Sequence, residues 1–181
     1  MKIESPLFEV LDGGPLSTIQ DLGRFGYQWQ GISPCGAMDE LAYVVGNLLV
    51  GNSPGEAALE ITLQGPTLRV LEDCIVSVTG GCVNISINGE SQPSWESFWV
   101  DKGNVISVGP VVFGCRVYLC VAGGMAVASI LGSKSTDLRV GFGGFHGRKL
   151  LKGDLISTTK TSVDFWSRFE GRRAPLEVLN L

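Results

Sequence analysis

Four polar side chains that lie close together in the sequence could bind a small ligand: Gln20, Asp21, Arg24 and Gln28. Arg24 offers a planar guanidinium that can hold a carboxylate or a phosphate through two parallel hydrogen bonds. Asp21 can accept a hydrogen bond from an amide or a hydroxyl group. The same residues also fit a structural alternative, an Asp21–Arg24 ion pair that holds a turn, and their local chemistry favours that alternative.

The segment that carries these residues, 17–39, combines polar groups with large apolar side chains. Leu22, Phe25 and Trp29 are too apolar for a fully solvated loop. The amides and charges need hydrogen-bond partners, which a uniform apolar core does not supply. Polar groups held between apolar anchors are typical of a ligand site or of a surface that contacts a partner.

A second polar cluster consists of Lys134, Ser135 and Thr136. It is not a phosphate-binding P-loop, because a serine separates the preceding glycine from Lys134 and the first glycine of the pattern is missing. Its hydroxyls and its ammonium group can still bind an anion, and a polar turn explains the pattern equally well.

Two other stretches could carry chemistry. Cys35 precedes a predicted helix, whose N-terminus can lower a thiol pKa, but a nucleophilic cysteine needs a base and the single histidine, His146, is far away in sequence. We therefore expect Cys35 to be a small residue at the helix entry. The glycine-rich stretch 141–148 lacks the spacing of a dinucleotide fingerprint and is expected to be an aromatic loop, or a lid.

Composition excludes several classes of protein. The net charge is −4 and the basic residues form no stripe, which argues against nucleic-acid binding. No apolar run approaches the roughly 18 residues of a membrane span, and residues 1–10 do not show the pattern of a secretory signal, so none is expected. The five cysteines show no paired spacing, so we expect reduced thiols, no metal site and a cytoplasmic protein.

The fold is expected to be mainly β. The 25 glycines lie between short runs of β-forming residues, as expected for strands joined by tight turns. The predicted strands are 7–11, 59–63, 67–71, 74–78, 83–87, 97–100, 105–108 and 111–122. Gly114 within the last of these predicts a central strand with a bulge, or two short strands. Asn88-Gly89 predicts one hairpin turn, and 101–104 predicts a second hairpin between 97–100 and 105–108.

One segment has helical spacing. Asp39 can cap a helix in which Leu41, Val44, Val45, Leu48 and Leu49 form the apolar face, and Gly51 can end it. A mostly antiparallel sheet with one inserted helix near 39–50, curled into a barrel that hides its edges, follows from these elements. Residues 158–181 are sparse in apolar side chains and are expected to form a linker or extension.

Several separated motifs resemble one known family in their order along the chain. The motifs are STIQDLGRFGYQ, GISPCGAMDELA, GNLLVGN, ALEITLQGP, CRVYLCVAGG and LGSKSTDL. The chain resembles the allophanate hydrolase subunit 2 family, which is also called the biotin-dependent carboxyltransferase family and includes the C subunit of 5-oxoprolinase. The resemblance covers residues 5–157.

The resemblance implies a cyclophilin-like β-barrel domain over residues 1–157 and a partner homologous to subunit 1 of the same family. It implies three alternative functions: ATP-dependent opening of 5-oxoproline, carboxyl transfer from carboxybiotin to urea, and regulation of a sporulation histidine kinase through an inhibitor that resembles subunit 1. We expect the first, with a small amide or lactam substrate, ATP as co-substrate and substrate contacts from Gln20, Asp21, Arg24, Gln28, Lys134, Ser135 and Thr136. In the second alternative, biotin is carried by a separate component.

The chain departs from the family in three respects. Cys35 stands where the family usually has serine, and Lys134 stands where it usually has arginine, so an anion contact at this position is expected to be weaker. The family usually continues for a second half that this sequence lacks. Residues 158–181 are then an extension toward that second half, and the chain is expected to be inactive alone.

Overall fold

The structure, a computed structural model, describes residues 5–159, 167–175 and 177. The described strands are β1 Ser5–Asp12, β2 Ser17–Gln20, β3 Ala58–Thr62, β4 Thr67–Val70, β5 Cys74–Ile87, β6 Glu90–Gln92, β7 Ser97–Val100, β8 Val105–Val121 and β9 Leu155–Thr158. The helices are α1 Glu40–Leu49 and two short 3-10 helices, Gln28–Gln30 and Ser167–Phe169.

The nine strands form one antiparallel sheet that curls as a half-barrel. Its main path runs β2-β3-β8-β4-β1-β9, and β5 pairs with β6, β7 and β8. Burial alternates along β4, where Leu68 and Val70 are buried while Arg69 between them is exposed, whereas β2 is buried throughout. The predicted mainly β class and the helix inserted near 39–50 are confirmed.

Two long strands, β5 and β8, connect the two ends of the sheet. The predicted strands 74–78 and 83–87 are two parts of one continuous strand, β5. The predicted strands 105–108 and 111–122 are likewise parts of β8, which ends one residue earlier than predicted, at Val121. Gly80 and Gly114 have left-handed φ values of 105° and 87°, and the pairing of β5 with β8 shifts register between Gly80 and Ile85. These glycines bend the long strands without ending them, and the bulge predicted at Gly114 is confirmed.

One of the two predicted hairpins is confirmed. Asn88 and Gly89 both have positive φ, and Ile87 pairs with Glu90 across the turn. The second prediction is wrong: β7 pairs with β5, whereas the first residues of β8 pair with β4. The turn at 101–104 is bound instead to the β4–β5 connection, where Asp73 accepts the backbone N–H of Lys102 at 2.8 Å.

Helix α1 packs on the outer face of the sheet. Asp39 caps it by accepting the N–H of Ala42 at 3.0 Å, and Gly51, with φ of 78°, follows its end. The predicted apolar face is partly wrong. Leu41 and Leu48 are each 45% exposed, and the buried face consists of Ala42, Tyr43, Gly46, Asn47 and Leu49.

The close approach of α1 to β5 explains this difference. Ser77 donates to the carbonyl of Gly46 and Thr79 to that of Ala42, both at 2.7 Å. A Cβ atom at position 46 would lie 2.7 Å from Thr79 Oγ1. The small residues Ala42 and Gly46 therefore lie at the contact with β5, and Leu41 and Leu48 lie on the exposed side of the helix.

The predicted linker or extension, 158–181, lies partly outside the described residues. Thr158 ends β9, and 167–175 lie against β7 and α1. Gly171 donates its N–H to the carbonyl of Ser97, and the N–H of Ser97 donates to the carbonyl of Arg172. The division of the chain at residue 157 and the role of 158–181 as a link to a second half stay predictions.

Candidate functional site

The chain between the predicted site and α1 is fixed by side chains from three neighbouring strands. Gln20 on β2, Glu60 on β3 and Tyr118 on β8 each accept a backbone N–H from this chain. The donors are Gly36 (3.2 Å), Met38 (2.8 Å) and Asp39 (2.8 Å). The helix entry is thereby held in one position over the edge of the sheet.

Asp21 is the centre of a buried hydrogen-bond cluster. Its Oδ1 accepts the hydroxyls of Ser133 and Ser135, both at 2.6 Å, and the N–H of Gly23 at 2.8 Å. Its Oδ2 accepts the N–H of Lys134 at 2.5 Å. Burial alone would raise the pKa of Asp21, but these four hydrogen bonds outweigh it and hold the pKa below its usual range. A charged Asp21 therefore joins segment 17–39 to the 133–135 loop.

Gln20 and Thr136 make the second link between these segments. Gln20 Nε2 donates to Thr18 Oγ1 at 3.1 Å and to the carbonyl of Thr136 at 3.2 Å. Thr136 donates from both its N–H (2.9 Å) and its hydroxyl (2.8 Å) to the carbonyl of Ile19. The described polar groups of both side chains are occupied within the protein.

Arg24 differs from these residues because its donors are incompletely used. The side chain is only 1% exposed, one Nη atom donates to the carbonyl of Ser135, and the guanidinium lies over the ring of Phe142, 4.6 Å from its centroid. Its Nε and other Nη atoms are buried without a hydrogen-bond partner in the described structure. The Asp21–Arg24 pair of the structural alternative does not form among the described ion pairs, because Asp21 is satisfied by hydroxyl and backbone donors.

Asp137 and Cys35 lie near Arg24. Asp137 Oδ1 accepts the N–H of Arg139 at 3.0 Å, whereas its Oδ2 is buried and has no hydrogen-bond partner among the described residues. Burial raises the pKa of the Cys35 thiol, against an opposing hydrogen bond from Ser33, and the Asp137 carboxylate raises it further. Cys35 is therefore protonated at neutral pH and is not an activated nucleophile.

The structure places Gln28 and the Lys134 side chain apart from this cluster. Gln28 is exposed on the 3-10 helix 28–30, where its Oε1 accepts the N–H of Gly26 at 3.1 Å. Lys134 Nζ lies 3.2 Å from Glu56 Oε2, so its ammonium already has an anionic partner. Of the seven predicted residues, the side chains of Gln20, Asp21, Arg24, Ser135 and Thr136 are brought together.

A cavity of about 410 Å³ adjoins Arg24. Its wall includes Phe142 and Gly143, which both lie against the guanidinium. The remaining lining residues are Ala126, Val127, Ala128, Ile130, Gly144, Phe145, His146 and Gly147. An apolar cavity of this size with a few polar groups nearby suits a small organic ligand.

The described residues include no group of three or more histidine, cysteine, aspartate or glutamate side chains that could hold a metal ion. In the same part of the chain, no helix has the length and apolar character needed to cross a membrane.

Three residues of the site are not identified by the sequence patterns. Ser133 lies just before the polar cluster predicted to begin at Lys134. The patterns mark Phe142 only as an aromatic in a glycine-rich loop, and Glu60 only as a strand residue. One sequence signal could have identified Glu60, because this charged residue lies between the apolar strand residues Leu59 and Ile61. The structure shows that Glu60 is only 9% exposed, so its carboxylate needs hydrogen-bond donors.

The family model of the carboxyltransferase domain, subdomain A and B, matches residues 30–178. The C subunit of the Haemophilus influenzae 5-oxoprolinase is 38% identical over 157 residues, which are 87% of this chain and 51% of that protein. The urea amidolyase of Saccharomyces cerevisiae is 35% identical over 154 residues, 84% of this chain and 8% of that protein. The chain thus spans about half the length of the first of these relatives.

A solved structure gives the same architecture. The crystal structure of the Kluyveromyces lactis urea carboxylase matches with a TM-score of 0.88 and 37% identity, covering 98% of this chain and 16% of that one. Sequence and structure comparisons thus point to one family over most of the chain.

Proposed function

Because the chain belongs to the family of the carboxyltransferase domain, subdomain A and B, we propose that it is a component of an ATP-dependent 5-oxoprolinase-type hydrolase. It acts with a homologue of subunit 1, in the cytoplasm, on a small amide or lactam. The observation that carries this proposal is the 38% identity to the C subunit of a 5-oxoprolinase over 87% of the chain. The chain spans 51% of that relative, and the proposed activity needs the further components of the complex.

Within this function, Arg24 binds the carboxylate of the substrate. Its unpartnered Nε and Nη donors support this role, since a buried guanidinium gains most from a planar anion. Asp21 holds Ser135 and the Lys134 backbone in place, and Gln20 and Thr136 complete the same wall. Gln28 and the Lys134 ammonium approach the substrate or a phosphate from the rim, once Lys134 leaves Glu56.

The second candidate is a carboxyltransferase that receives its carboxyl group from biotin on a separate carrier. The TM-score of 0.88 to a urea carboxylase favours it. Both candidates need a site for a small amide-bearing substrate, so the same wall serves either reaction.

The test is reconstitution of the gene product with the subunit 1 homologue and further subunits encoded beside it. The proposal predicts ATP-dependent conversion of 5-oxoproline to glutamate, reduced at least about tenfold by Arg24→Gln because a transition-state or substrate hydrogen bond is lost. Arg69→Gln is the matched control, because Arg69 forms an exposed ion pair with Glu9. Biotin-dependent carboxylation of urea without 5-oxoproline turnover would replace this proposal by the second candidate.

A further inference from the structure

Arg24 makes none of the described ion pairs, although the buried Asp137 carboxylate, whose Oδ2 has no hydrogen-bond partner among the described residues, lies nearby. One of its donors binds the carbonyl of Ser135, and two of its nitrogen atoms are enclosed without any acceptor among the described residues. Burying a charge in this way is unfavourable unless another group compensates it. The side chain is therefore poised to gain from an anion that can reach it.

Phe142 and Gly143 both lie against Arg24 and line the 410 Å³ cavity. The Phe142 ring covers the guanidinium on one side and is itself half-buried at the 410 Å³ cavity. A Cβ atom at position 143 would lie 2.7 Å from Nη2 of Arg24. Only one ring and one glycine thus separate the buried cation from the cavity.

The cavity wall also carries unused backbone donors. Gly143, Gly144, Phe145 and His146 line the cavity, and their N–H groups have no acceptor among the described residues. Gly143 (72°), Gly144 (50°), His146 (56°) and Gly147 (66°) all have left-handed φ values. Successive unpaired N–H groups in a turn of this kind can bind an anion.

We propose that this cavity binds a small monocarboxylate, whose carboxylate reaches Arg24 when the Phe142 ring swings aside. The proposal rests on the carboxylate-binding role that the proposed function gives to Arg24. It adds where the ligand binds, in the 410 Å³ cavity, and which side chain must move for the carboxylate to reach Arg24, the Phe142 ring. Ala126, Val127, Ala128 and Ile130 provide an apolar wall, which suits a ligand with one charge and a small uncharged body. A highly charged phosphate fits this lining poorly, because its remaining charge would be desolvated.

The experiment is an NMR titration of the 15N-labelled full chain with 5-oxoproline and with 2-pyrrolidinone, which is the same ring without the carboxylate. We expect 5-oxoproline to shift the amide signals of 143–146 saturably, and 2-pyrrolidinone to leave them unchanged. Phe142→Ala removes the gate and should lower the dissociation constant by about tenfold if the open state is a tenth of the population. Arg24→Gln should abolish the shifts, and Arg69→Gln should retain them.

Arg24→Lys covers the case in which Arg24→Gln does not fold, because it keeps the charge but loses the planar fork and should weaken binding. The proposal would be overturned if 5-oxoproline caused no saturable shifts in either the wild type or Phe142→Ala. Equal shifts with 2-pyrrolidinone would also overturn it, and so would wild-type affinity for 5-oxoproline in Arg24→Lys. Loss of 5-oxoprolinase activity in the reconstituted complex, with carboxylate binding intact, would overturn the proposed function alone. Turnover without Arg24-dependent shifts would overturn this inference alone.

Discussion

The hydroxyl of Tyr118 lies between Glu60 and the first turn of α1. It donates to Glu60 Oε2 at 2.7 Å and accepts the N–H of Asp39 at 2.8 Å. Glu60 Oε2 also accepts the N–H of Met38 at 2.8 Å. One hydroxyl and one carboxylate oxygen thus connect β3 and β8 to the entry of the helix.

Tyr118→Phe removes this connection and leaves a buried carboxylate oxygen and a backbone N–H with one partner fewer. We expect the free energy of unfolding to fall by about 2 kcal/mol. Urea denaturation of the single variants Tyr118→Phe and Glu60→Gln and of the double variant should give a coupling energy of about 1 kcal/mol between the two residues. Additive effects would show that the contact contributes nothing of its own.

Asp21→Asn should destabilise the protein strongly. The asparagine Nδ2 would face hydrogen-bond donors at one of the two carboxylate positions, so at least one buried donor would lose its acceptor. We expect a loss of about 3 kcal/mol in the free energy of unfolding. Asp12→Asn is the matched control, because Asp12 is exposed and accepts only the N–H of Gly14 among the described contacts; its effect should stay within about 0.5 kcal/mol. An equally small effect of Asp21→Asn would contradict the central role of Asp21 in the buried hydrogen-bond cluster.

The lowered pKa of Asp21 predicts a specific acid dependence of stability. Because the pKa is lower in the folded state, the unfolded state binds the proton more readily as the pH falls. The stabilisation is complete above the ordinary value of 3.8 and is lost as the pH falls through the folded pKa. Urea denaturation between pH 7 and pH 2 should therefore show a shallower acid decline in Asp21→Asn than in the wild type.

Asp154, whose pKa is lowered chiefly by its hydrogen bonds from Arg148, contributes acid sensitivity of the same sign. Asp154→Asn should remove the part of the acid sensitivity that Asp154 contributes, and should leave the part contributed by Asp21 unchanged. Identical acid profiles in the wild type and Asp21→Asn would refute the assignment to Asp21.

Gly46→Ala tests the packing of α1 against the sheet. Alanine is favoured over glycine in an isolated helix by about 1 kcal/mol, so propensity alone predicts stabilisation. The new Cβ would lie 2.7 Å from Thr79 Oγ1 and 2.8 Å from Cys120 Sγ, so we expect a net destabilisation of about 2 kcal/mol. Thermal unfolding should show a lower Tm for this variant, while Leu48→Ala on the exposed face changes Tm little.

The sequence predicted what local patterns determine. Asn88-Gly89 specified its hairpin through the positive φ that both residues adopt, and Asp39 specified the start of α1 through its side-chain cap. The second hairpin was wrong because a turn signal does not say which strand lies beside the returning chain. The exposed position of Leu41 and Leu48 was missed because the close contact at Gly46 depends on β5, which is distant in sequence.

The site shows the same limit. The types of residues in segment 17–39 indicated groups that need partners, but the partners of Asp21 come from residues 112 and 114 positions away. Local chemistry paired Asp21 with Arg24 because nothing nearby competed for the carboxylate. The incomplete hydrogen bonding of Arg24 follows from that distant competition and could not be read from spacing.

The pairing of β1 with β9 has a consequence for synthesis of the chain. Ser5 pairs with Thr158, so the first strand finds its outer neighbour only after almost the whole described domain has left the ribosome. Pairings of such long sequence separation form slowly, because a large loop must close before contacts compensate for it. The nascent chain therefore carries an open sheet edge at β1 until β9 has left the ribosome.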